Sequence, residues 1–92
     1  MPISLDSRVA IHEDAVFREL DGEAVILQLD AGMYFGLDPV GTRLWQLIET
    51  HGALRPVLDA ALTEFDVAPD VLEQDLLDLV STLVEKRLVV VQ

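Results

Sequence analysis

The spacing of hydrophobic positions changes once along the chain, near residue 38. Before it, apolar residues alternate or run together in short stretches bounded by turn residues. Ala15-Val16-Phe17-Arg18-Glu19-Leu20 alternates loosely and carries β-branched and aromatic members, a strand pattern. Asp21-Gly22 follows, a dipeptide that tolerates the positive φ angles of a tight hairpin turn. Glu23 to Leu29 is the next strand, and its apolar run predicts burial on both faces. Asp30-Ala31-Gly32 reads as a second turn, and Met33-Tyr34-Phe35-Gly36-Leu37 as a short third strand. Two successive hairpins make a three-stranded antiparallel meander with the Glu23–Leu29 strand in its middle. Arg8-Val9-Ala10-Ile11 adds a short leading strand.

From residue 38 onward the period becomes helical. Asp38 is a good N-cap and Pro39 suits the first helical position. Val40, Leu44, Leu47 and Ile48 form one stripe with Trp45 beside it, and His51-Gly52 closes the helix. Pro56 opens a second helix, with Val57, Leu58, Ala61, Leu62 and Phe65 on its buried face. Pro69 opens a third, in which Leu72, Leu76, Leu79, Val80 and Leu83 recur at helical spacing. Lys86 and Arg87 stand at its C-terminal end, where cations complement the helix dipole. Leu88 to Val91 is β-prone, a final strand or a packed tail. Strands followed by helices define an α+β domain, a β-meander and then three helices in a winged-helix-like order.

Length and charge narrow the function. The 92 residues form one domain, with residues 1–7 expected to be loose. Seventeen acids against six basic residues give a net charge of −11, which repels phosphate backbones and excludes nucleic acid as a partner. Eight acids and no lysine or arginine lie between Val57 and Glu85, the reverse of a DNA-reading helical segment. No apolar run approaches the length of a membrane span, and Met1 to Asp6 lacks the features of a signal peptide. A cytoplasmic protein is expected. The absence of cysteine removes thiol catalysis and zinc–thiolate sites together.

Catalytic chemistry is thin. Ser4, Ser7 and Ser81 lie in no nucleophile elbow. His12 and His51 have no partner at a site-forming spacing, and His12-Glu13-Asp14 on an extended segment point alternately rather than converge. Asp75 and Asp78 are helical neighbours, and Asp78 reads as part of a solvated acidic face. No Gly-rich phosphate loop occurs. No enzyme, catalytic residue, metal site or cofactor is expected.

Two features suggest binding instead. The third helix has more apolar surface than one stripe requires: Leu77 and Val84 lie off one flank, and Val71 lies off the other beside Asp75 and Thr82. A flank of this kind either packs inside the domain or lines a groove. The Met33–Leu37 strand is an edge without the lysine or proline that would blunt it, and Gly36 leaves room for close backbone approach. An extended peptide could add to it, with side chains entering pockets. Homodimerisation or coverage by Leu88–Val91 would occupy the same edge, so the oligomeric state stays open.

The runs Val16–Leu27, Gly32–Asp38 and Val40–Trp45, followed by Leu62 through Val67, Asp75-Leu76-Leu77, Leu83 and Leu88-Val89, resemble the pyrroloquinoline-quinone synthesis protein D family. Its members are recognition elements that bind leader peptides of ribosomally made, post-translationally modified peptides. The resemblance spans roughly residues 8–90. It implies that a leader adds to the third strand in a cleft against the third helix. The implied contacts are Met33, Tyr34, Phe35, Gly36 and Leu37 on the strand and Leu72, Asp75, Leu76 and Leu79 on the helix. Asp75 would be the polar anchor. The Tyr-Phe-Gly-Leu strand looks most like the stand-alone subunits of lasso-peptide pathways; pyrroloquinoline-quinone or other radical-enzyme pathways are the alternative. The implied partners are a precursor peptide and a modifying enzyme or leader protease. Two positions depart from the pattern: Ala68 stands where Ser or Thr usually caps the third helix, and Arg87 where glycine is usual.

Overall fold

The change of period at residue 38 is the seam between a sheet and a helical layer. The computed structural model describes residues 3–21 and 23–92. Its strands are β1 (Val9–Ile11), β2 (Ala15–Leu20), β3 (Glu23–Gln28), β4 (Met33–Leu37) and β5 (Val89–Val91). Its helices, α1 (Pro39–His51), α2 (Leu54–Glu64) and α3 (Pro69–Glu85), lie between β4 and β5. β2, β3 and β4 form the expected antiparallel meander, β3 central, with Phe17 opposite Ile26 and Ile26 opposite Phe35. Asp21 takes φ 56° in the first turn, the left-handed conformation that turn demands, while Gly22 lies outside the described residues.

β3 differs from the two-face burial its apolar run predicts. Ala24, Ile26 and Gln28 are buried against the helices, but Val25 (38%) and Leu27 (37%) stay partly exposed on the other face. No layer covers that side among the described residues, so strand alternation, not the apolar run, decides burial. Tyr34 and Gly36, opposite Leu27 and Val25, share the open face.

α1 begins as its sequence dictates: Asp38 Oδ1 accepts the Gly41 N–H at 2.7 Å, and Pro39 occupies the first turn. Trp45 is not beside the buried stripe but at its centre, fully buried and stacked on Phe17 at 6.1 Å between centroids. Val40 instead faces outward at 37% exposure. α2 starts at Leu54, two residues before the proline expected to open it. Pro56 is tolerated there because first-turn N–H groups have no intrahelical partner. Arg43 of α1 grips Glu64 of α2 through two bonds of 2.7 and 2.9 Å. That hydrogen bonding holds the Glu64 carboxyl below its usual range.

α3 has no side-chain cap at Ala68, and its C-terminus closes tightly. Arg87 adopts φ 58°; its N–H donates to the Val84 carbonyl, and the Leu88 N–H to the Leu83 carbonyl at 2.8 Å. This is a Schellman closure with arginine where glycine is favoured. Buried Leu83 and Leu88 supply its apolar contact. β5 then runs antiparallel to β1, pairing Val9 with Val91 and Ile11 with Val89 in a separate two-stranded sheet. The C-terminal segment therefore does not cover β4.

Candidate functional site

The outer edge of β4 has no strand beside it among the described residues. Alternation splits its five residues between two faces. Met33, Phe35 and Leu37 pair with the inward residues Gln28, Ile26 and Ala24 and turn toward the helical layer. Met33 is half exposed at the hairpin end, Phe35 is half buried, and Leu37 is buried in the core. Tyr34 (73% exposed) and Gly36 occupy the open face, and a Cβ added at Gly36 would meet nothing within 4 Å.

α3 presents two surfaces. Leu72, Leu76, Val80 and Leu83 are fully buried. At about 100° per residue, Val71, Asp75, Asp78, Leu79, Thr82 and Lys86 share the flank beside them. This flank faces β4 and the start of α1. At one end, Asp75, Asp78 and Leu79 join Asp38, Val40, Gly41 and Leu44 around an open cleft of about 380 Å³. At the other, the Lys86 ammonium lies 5.8 Å from the centroid of the Phe35 ring.

A buried polar residue fixes that second end. Gln28, 3% exposed, donates from Nε2 to the Arg87 carbonyl at 2.8 Å and accepts the Asp30 N–H at 2.8 Å. One side chain thereby ties the β3–β4 turn to the end of α3. Replacing Gln28 by Leu leaves two backbone groups without partners. The expected cost is about 1–3 kcal/mol, read as a lower urea midpoint with an unchanged slope.

The structure thus brings together part of the residue set drawn from the sequence. Asp75 and Leu79 line the cleft together with the start of α1, and Phe35 lies under Lys86 at the other end of the same α3 flank. Leu72 (1% exposed), Leu76 (0%) and Leu37 (6%) belong to the core: they support the walls and offer no surface to a ligand. Sequence reasoning passed over Asp78, read as a solvated face, and Asp38, read only as a cap; both line the cleft. It also missed Gln28 and the placement of Lys86. The helical spacing from Val71 to Lys86 carried the signal for Asp78 and Lys86, but Gln28 gave none, since its partner lies 59 residues away. His12 Nδ1 accepts the Asp14 N–H at 3.0 Å, a turn-stabilising bond between β1 and β2.

A larger, shallower hollow of about 610 Å³ lies around Gly36, Leu20, Val25 and Arg18. It has no helix wall, so a strand added at β4 would gain a second side only toward α3, where Lys86 stands over Phe35.

Among the described residues no helix is long and apolar enough to cross a membrane. The chain resembles two solved structures. TbiB1 in complex with the TbiA(β) leader peptide is 38% identical at TM-score 0.80, covering 86% of this chain and 92% of that one. A lasso peptide synthetase B1 complexed with the leader peptide has the same fold, with TM-score 0.80 and 19% identity over 90% of this chain and 98% of that one. No curated protein matches the chain. The family model described as coenzyme PQQ synthesis protein D (PqqD) matches residues 23–89. With that match over most of its length, and its edge strand and third helix set as described, the chain belongs to the PqqD family.

Proposed function

We propose that this protein binds the leader segment of a ribosomally made precursor peptide and presents it to the modifying enzymes or leader protease of a lasso-peptide pathway. The observation that carries the proposal is the free edge of β4 beside the unburied flank of α3, which meets Phe35 through Lys86 at one end and lines an open cleft with the start of α1 at the other. The leader-bound state of the 38%-identical TbiB1 supports it. The leader adds to β4 as a strand, so its backbone supplies hydrogen bonds that do not depend on sequence. Its inward side chains then meet Phe35 and Leu79, and a cationic one meets Asp75. Its outward side chains lie beside Tyr34 and Gly36. The protein catalyses nothing; it orders a flexible peptide for others.

The test is a titration of the fluorescein-labelled leader of the precursor encoded beside this gene, followed by anisotropy. A label is needed because Trp45 is buried against Phe17 and reports on folding. Saturable one-to-one binding that weakens as salt rises is expected. Asp75→Ala costs about 1–3 kcal/mol of affinity if its carboxylate accepts a charge-assisted bond. Absence of binding by the neighbouring leader, or a dimer that persists through dilution and leader addition, overturns the proposal.

A further inference from the structure

The proposed groove has opposite charges at its two ends. In a chain of net charge −11, the six basic residues are few, and most stand away from this groove. Among the described residues the ion pairs engage Arg43 with Glu64 and Arg55 with Asp6, and Lys86 forms none. Its ammonium lies over Phe35, the apolar residue that β4 turns into the groove. Gln28 anchors the backbone of the next residue, Arg87, to the β3–β4 turn, which fixes where the Lys86 side chain starts. Asp75, Asp78 and Asp38 stand at the opposite end.

The distance between the poles follows from element geometry. Asp75 to Lys86 spans eleven residues of α3, about 16 Å, and Asp78 to Lys86 about 12 Å. An extended chain rises about 3.3 Å per residue, so these spans equal about four to five residues of an added strand. Resting on the leader-binding function proposed above, we infer that Lys86 is a specificity-determining residue. It selects a leader whose acidic side chain faces Phe35, about four residues from the side chain held at Asp75, an even spacing that keeps both on one face of the strand. The carboxylate exchanges the weak contact of Lys86 with the Phe35 ring for an ion pair on an apolar floor. A leader laid in the reverse direction puts like charges together at both ends. Lys86 therefore sets polarity as well as affinity.

The experiment combines protein and peptide variants. Lys86→Glu, Lys86→Met and Lys86→Arg are titrated with the labelled neighbouring leader, and with leaders in which each acidic residue in turn is replaced by lysine. Lys86→Glu is expected to weaken the native leader by about tenfold or more, Lys86→Met by less, and Lys86→Arg to retain most affinity. One lysine-substituted leader, and no other, restores affinity to Lys86→Glu. A merely structural role at the helix end gives no such rescue. Lys86→Met keeps the apolar stem and the fold, so it carries the test if Lys86→Glu melts early. Tight binding of the native leader by wild type, Lys86→Glu and Lys86→Met alike, or absence of rescue by any leader, overturns the inference and leaves the proposed function standing. A wild-type protein that binds no leader overturns both.

Discussion

A leader peptide N-methylated at every second amide, in the register that faces β4, should lose affinity by about 100-fold or more, while the complementary set of methylations changes it little. Strand addition is the reason. The unpaired groups of an edge strand repeat with period two, so only alternate leader amides donate to β4. A methyl group there removes the donor, leaves a β4 acceptor unpartnered and pushes the backbones apart. Each effect costs on the order of 1–3 kcal/mol, and two adjacent sites reach the expected loss. The other amides face away from β4. Isothermal calorimetry with the two peptide sets measures the difference. Equal losses in both sets would mean that the peptide lies in the groove by side-chain contact alone, or as a helix.

The second large effect separates two leucines that the sequence treats alike. Leu76→Ala should destabilise the fold by about 2–5 kcal/mol, a large share of the roughly 5–15 kcal/mol that holds a domain of this size. The melting temperature falls by roughly 10 °C or more. Leu76 is 0% exposed, so its removal opens a cavity between α3 and the core. Leu79, three residues on, lines the cleft and is half buried. Leu79→Ala should cost the fold much less and weaken leader binding by about tenfold, because the lost surface belongs to the ligand. Thermal melts read from Trp45 fluorescence, together with anisotropy titrations, check both halves. A folded Leu76→Ala protein with intact stability and weakened binding would reverse the assignment.

The contrast between Leu76 and Leu79 also shows how far the sequence was legible. The meander, the three helices and the change of period at residue 38 could be read because turn residues and caps act locally: Asp38 reaches only to Gly41. The elements of the candidate site were legible where a free edge and a helix flank leave a pattern, as at Phe35 and Asp75. It was not legible where two elements must meet. Helical spacing places Leu72, Leu76 and Leu79 on one side of α3 but does not say how deep each lies. The tilt of the helix against α1 and the sheet decides that. Asp38 served both as a cap and as a cleft wall, and only the second role depends on α3. The apolar run from Val25 to Leu29 promised burial on two faces, and only a second layer, which the described residues do not supply, could have provided it.

The pairing of β1 with β5 has a kinetic consequence. Val9 and Val91 stand opposite each other, so this contact closes a loop of nearly the whole described chain. The β2–β3–β4 hairpins and the helices form from neighbours in sequence, and such local contacts are gained early and quickly. The clasp must wait for them, because the entropy of closing a loop grows with its length. Folding should therefore end, and unfolding begin, at the two strands farthest apart in the sequence. The strand edge proposed to take the leader belongs to the part that is made first.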